Sequence, residues 1–95
     1  MAMRVVTLYG KPECSLCDEA RAAILALRNE GLRFELREFD IEQDERLHAS
    51  YLERIPVVDV DGERVSELLL DEAALRAALT GRRGGGERGL DTVPA

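Results

Sequence analysis

Arg4-Val5-Val6-Thr7-Leu8-Tyr9-Gly10-Lys11-Pro12-Glu13-Cys14-Ser15-Leu16-Cys17-Asp18-Glu19-Ala20 contains a change of period, and the rest of the fold is read outward from it. Val5, Val6 and Leu8 make a short β-rich run, which predicts a buried strand over 4–8 ended by Gly10 and Pro12. From Cys14 onward Leu16, Ala20, Ile24 and Leu27 recur at helical spacing, with Ala23 beside them and polar residues opposite. Asn29 and Gly31 supply the stop. A strand running into a helix places Cys14 and Cys17 at the strand's carboxyl end and the helix's amino end.

Beyond that unit, Phe34 and Leu36 alternate and the phase then slips to Phe39 and Ile41, so a second strand over 33–40 carries a bulge or ends there. Glu42 to Leu52 predicts a short, mostly exposed helix anchored by Leu47, Tyr51 and Leu52. Ile55-Pro56-Val57-Val58-Asp59-Val60 predicts a third strand opened by proline, where a missing N–H is tolerated. Asp61-Gly62 is a hairpin turn signal, with Glu63 to Glu67 as the return strand. Asp71 then caps a helix from Glu72 to Leu79, with Ala74, Leu75, Ala78 and Leu79 inward and Gly81 as its stop. The order β-α-β-α-β-β-α predicts an α/β fold: a four-stranded mixed sheet with helices on both faces. Residues 1–80 form the domain, and 81–95, with glycines and arginines and little to bury, read as a flexible tail.

Composition narrows the function. The 95 residues are 45% hydrophobic, enough for one core, and the formal net charge is -6. Neither nucleic acid nor an anionic membrane is an expected partner of so acidic a chain. The short Arg82-Arg83 pair reads as a solvated end. No apolar run approaches the roughly 20 residues of a membrane span. The start lacks the basic patch and apolar stretch of a secretory signal, so a cytoplasmic monomer is the expectation. In that reducing setting two cysteines do not make a structural framework.

Their position does make chemistry. Only a thiolate attacks a disulfide, and a helix N-terminus favours the thiolate through its unpaired N–H groups and partial positive charge. Cys14 at the cap would be the nucleophile. Cys17, one turn further in, would resolve the mixed disulfide. Lys11, the chain's single lysine against twelve arginines, could stabilise a thiolate or the carboxylate of a bound thiol. Glu13, Asp18 and Glu19 oppose the thiolate. Zinc sites also use Cys-x-x-Cys but need further ligands, for which His48 is the candidate of the right kind. A metal site within one chain is not expected; two chains could share an ion.

Across about residues 4 to 80 the sequence resembles glutaredoxins and their small bacterial glutaredoxin-like relatives. Val6 to Cys17 resembles their first strand, lysine and Cys-x-x-Cys; Phe34 to Ile41 resembles the second strand and its acidic end. Arg54-Ile55-Pro56-Val57-Val58 resembles the segment whose proline is cis and faces the cysteines. The resemblance implies a thioredoxin-like fold and a cis Ile55–Pro56 bond. It also implies an Ile55 whose N–H and C=O are open to an extended thiol substrate, so Lys11, Ile55 and Pro56 are candidate substrate-binding residues. Two departures stand out. Ser15-Leu16 replaces the family's Pro-Tyr, and Glu67-Leu68-Leu69-Leu70-Asp71 replaces the Gly-Gly pair and acid that hold glutathione's γ-glutamyl end. Without glycine a backbone approaches such a ligand less closely.

The expected activity is that of a thiol–disulfide oxidoreductase with Cys14 and Cys17 catalytic, acting on protein or low-molecular-weight disulfides. No bound cofactor is expected. Glutathione as co-substrate, or a thioredoxin-reductase-like enzyme, would be the electron donor. The alternative is a non-catalytic carrier of a soft metal ion on the same two thiolates.

Overall fold

Seven residues, Arg4–Gly10, form β1, and alternate side chains Val6 and Leu8 are buried while Thr7 and Tyr9 on the opposite face are half-buried. The computed structural model describes residues 3–81; the expected tail over 82–95 lies outside the described residues. After β1 come α1 (Ser15–Asn29), β2 (Phe34–Asp40), a 3₁₀ turn (Ile41–Gln43), α2 (Glu45–Tyr51), β3 (Val57–Val60), β4 (Glu63–Glu67) and α3 (Glu72–Thr80). The strands order as β2-β1-β3-β4, with β1 parallel to β2 and both other pairs antiparallel. The expected β-α-β-α-β-β-α order and four-stranded mixed sheet are what the chain forms.

Local chemistry explains the boundaries. In β2 the pairing with β1 runs without a shift from Arg4↔Phe34 to Gly10↔Asp40, so the phase slip at Phe39 marks the strand's end. Asp40 caps the 3₁₀ turn and turns Ile41 inward to full burial, while Phe39 stays exposed. The single helix expected over Glu42 to Leu52 is split, because Asp44 starts a second cap by accepting from the N–H groups of Arg46 and Leu47. Leu47 and Tyr51 anchor α2, but Leu52 just beyond its end is exposed and anchors nothing. β3 begins at Val57, two residues later than the sequence suggested, after a cis Ile55–Pro56 bond. Asp61 and Gly62 both have positive φ, 52° and 85°, as a tight hairpin turn requires. The bulge in the sheet sits here, between Val58 and Asp59 against β4.

The core divides in two. Val6, Leu8, Val58 and Val60 from the strands meet Ala20, Ile24 and Leu27 of α1 and Leu75 of α3. The second cluster collects at the carboxyl end of β1: Cys17, Ile41, Ile55 and Val57, with Tyr9, Cys14, Leu47 and Tyr51 packed against it. Leu16, expected on the inward side of α1, is 39% exposed. At the helix's first turn Cys17 takes the inward position, 1% exposed, and Leu16 beside it faces outward.

Candidate functional site

The second cluster contains both thiols. Cys14 is the N-cap of α1 with an extended backbone (φ -118°, ψ 108°), and its Sγ accepts a hydrogen bond from the Cys17 N–H at 3.2 Å. Its carbonyl accepts the first helical bond, from Asp18 N–H at 3.0 Å. A sulfur thus stands where serine or aspartate ordinarily caps, held by the orphan donor that would stabilise negative charge on it. Glu13 just before it has φ 59°, a left-handed turn that swings the chain from Pro12 into the cap. Both cysteines are free, Cys14 half-buried and Cys17 buried.

Burial makes Cys17 a reluctant acid. Its thiol is pushed up from 9.0 to about 11, first by loss of water and then by its hydrogen bond with Cys14, with the Lys11 backbone N–H pulling the other way. Gly10 makes room for it: a Cβ there would stand 3.0 Å from the Cys17 sulfur. Sequence reading took Gly10 for a strand terminator only. Its close approach to a thiol seven residues away appears once α1 folds back along β1.

Of the other expected site residues, Lys11 is half-buried and lines a cleft of ≈ 380 Å³ together with Cys17, Asp18, Arg21, Glu38 and Asp40. Three acids face two bases in that cleft, and Arg21 is taken up by Glu38 at 2.6 Å and Asp18 at 3.3 Å, which leaves Lys11 as its available cation. Ile55 packs in the same cluster as Cys17, and Pro56 is fully buried. The Ile55 N–H, expected to face a substrate, instead donates to the Tyr51 carbonyl at 3.0 Å. The chain enters β3 straight from the end of α2, and that carbonyl of the last helical turn captures it. This leaves the Ile55 C=O as the candidate backbone contact.

The sequence points to Tyr51 only as an anchor of the second helix and to Tyr9 only as part of the first strand. Ser15-Leu16 removes the expected aromatic between the cysteines, yet Tyr9 and Tyr51 pack against the thiol cluster from β1 and α2, rings 4.9 Å apart. Tyr9 also stacks on Phe39 at 5.6 Å. Tyr51 OH accepts from Arg64 at 2.9 Å, and Arg64 holds buried Asp59 at 2.6 Å. Asp59 within an otherwise apolar strand was the available signal. As for metal, no group of three or more His, Cys, Asp or Glu side chains able to hold an ion exists among the described residues, and His48 adds no site to the thiols. No described helix is long and apolar enough to cross a membrane.

A protein of Nitrosomonas europaea, solved by NMR in solution, is similar at TM-score 0.73 and 28% identity over 84% of this chain and 95% of its own. An X. campestris protein solved by X-ray is 32% identical at TM-score 0.62, over 76% of this chain and 91% of its own. A mutant thioredoxin from Halobacterium salinarum shares the fold at TM-score 0.58 and 22% identity, over 80% of this chain and 71% of its own. No curated protein matches the chain. The family model described as a glutaredoxin-like domain (DUF836) matches residues 5–80, which span β1 with its following thiol-capped helix through to the end of α3. By that match the chain belongs to the glutaredoxin-like domain family, on a thioredoxin fold.

Proposed function

We propose that the chain is a thiol–disulfide oxidoreductase in which Cys14 and Cys17 cycle between dithiol and disulfide. The observation that carries this is the pairing of an accessible sulfur at a helix cap with a buried one whose own N–H donates to it at 3.2 Å. Cys14 as thiolate attacks one sulfur of a substrate disulfide. A Cys14–substrate S–S bond forms, the substrate S–S bond breaks, and the departing thiolate takes a proton. Cys17 then gives up its proton and attacks the Cys14 sulfur. The second substrate thiol leaves as the Cys14–Cys17 bond closes, so the substrate gains two electrons and the protein loses two. An external thiol, glutathione or the dithiol of a reductase, returns them.

Within this reading Lys11 steadies the anionic leaving group or a substrate carboxylate, while Ile55 and Pro56 flank the bound thiol. Substrates are protein or small disulfides, and the chemistry suits a reducing compartment such as the cytoplasm. Glutathione is a poor fit, because leucines replace glycines beside the site and the cleft holds an excess of acids. The test is turnover of a glutathione mixed disulfide, coupled to NADPH through glutathione reductase, and of a small neutral disulfide with a chemical dithiol donor. Wild type should reduce the second and Cys14→Ser neither. Full activity in Cys14→Ser would sink the mechanism. Cys17→Ser distinguishes a dithiol cycle, which it stops, from a monothiol one, which it leaves running.

A further inference from the structure

Of the seven large hydrophobics exposed among the described residues, three line one groove: Leu16, Leu68 and Leu69, at 39%, 51% and 67% exposure. The groove, ≈ 410 Å³, lies between the first turns of α1 and the loop joining β4 to α3. Leu16 lies in the first turn of the helix that Cys14 caps, so one wall of the groove belongs to the same turn as the attacking cysteine. Leu68 is the odd member. Its φ of 68° lies in the left-handed region, which every side chain disfavours, and its N–H is tied to the Arg54 carbonyl at 2.8 Å. A leucine that is both exposed and held there gains little from packing, and glycine would make the same backbone hydrogen bond without the penalty, so neither accounts for the side chain. Glu19 and Glu72 edge the groove, on a chain of formal net charge -6.

We propose that this groove recognises a cysteine-bearing segment of a partner protein, one with an apolar side chain next to the cysteine and arginine or lysine flanking it. The inference rests on the oxidoreductase reading and names its substrate class. Cys14 attacks the partner's disulfide and forms the mixed disulfide with that cysteine, the other partner sulfur leaving as a thiol. The neighbouring apolar side chain settles on Leu16, Leu68 and Leu69, and the flanking cations meet Glu19 and Glu72. Glutathione offers neither feature, having no apolar side chain and two carboxylates.

The experiment uses the reduced full-length chain and two short peptides, each carrying one cysteine as a mixed disulfide with thionitrobenzoate. One has leucine on both sides of the cysteine and arginine at each end; the other has serine and glutamate in those places. Hydroxyethyl disulfide serves as the small neutral reference. Wild type should react with the leucine–arginine peptide about tenfold faster, the scale of one well-buried leucine. Added salt should shrink the part due to arginine. In Leu69→Ser and in Leu68→Ser/Leu69→Ser the rate ratio between the peptides should fall toward unity. A ratio is insensitive to any general loss of active protein. Equal rates with the two peptides, while hydroxyethyl disulfide is reduced, overturn the docking surface and leave the redox reading standing. No reaction with any of the three overturns the redox reading itself. A dimer by sedimentation that Leu69→Ser dissolves would put a second copy on the face and also overturn the proposal.

Discussion

A thiol whose proton is held by burial makes folding depend on pH in a definite direction. Cys17 keeps its proton up to about pH 11 in the folded chain, against 9.0 for an ordinary thiol. The unfolded state therefore loses its proton first as pH rises, which favours unfolding. Stability should be complete below about pH 9 and should fall by about 2 kcal/mol on approaching pH 11, read from urea denaturation across that range. Cys17→Ala should flatten the slope. What remains belongs partly to Tyr9, whose phenol is pushed up by burial first and by Asp59 second. Gly10 carries the second prediction at this scale. Gly10→Ala sets a methyl 3.0 Å from the Cys17 sulfur and 3.1 Å from its Cβ. Both residues are buried, so relief requires moving α1 against β1, at a cost of about 1–3 kcal/mol in denaturant unfolding. An unchanged midpoint would mean that the helix start yields freely.

Among the elements, α2 depends most visibly on its cap. It has seven residues, none fully buried, and Asp44 satisfies two of its first N–H groups at 2.8 and 3.2 Å. So short a helix has little cooperativity of its own. Asp44→Ala should cost about 1 kcal/mol globally and loosen Tyr51 and Leu47 over the thiol cluster. Amide exchange over 45–55 that speeds up more than the uniform change from the global loss would show this, the Ile55 amide included, since its acceptor is the Tyr51 carbonyl. The loop after β4 makes an opposite prediction. Leu68→Gly relieves a left-handed leucine that packs little, so the melting temperature should hold or rise, by the equivalent of up to about 1 kcal/mol. A marked fall would show that Leu68 contributes packing within the chain.

At the scale of the whole molecule, one ion-pair network joins β3, β4 and α2. Buried Asp59 meets Arg64 at 2.6 Å; Arg64 also bonds Glu67 at 2.7 Å and Tyr51 OH at 2.9 Å, with its guanidinium 5.1 Å from the Tyr51 ring. Burying the carboxylate is costly unless its partner stays. Arg64→Leu should therefore cost about 2 kcal/mol, less than for a fully buried pair because Arg64 remains a third exposed. Asp59→Asn combined with Arg64→Leu should recover part of that loss, which a double-mutant cycle in urea would quantify. The network ties the far hairpin to the row Arg64–Tyr51–Tyr9–Phe39, of which Tyr51 and Tyr9 pack against the thiol cluster.

Much of this was legible in local sequence. The period change after Gly10, the Asp61-Gly62 turn and the Asp71 cap are decided within a few residues, so element order and the place of Cys14 and Cys17 at a helix start follow from the chain alone. Asp71 does accept from Ala74 N–H at 3.0 Å, as its position before an apolar run requires. The environment of the thiols was not legible, because it comes from segments distant in sequence. Gly10 shapes the space at Cys17, Tyr9 and Tyr51 replace the aromatic that Ser15-Leu16 lacks, and Tyr51 claims the Ile55 N–H. Leu16 shows the limit most plainly. Helical spacing assigns it to the inward stripe, but only the crossing of α1 over the sheet's end decides that Cys17 is buried and Leu16 left to meet Leu68 and Leu69 at the surface.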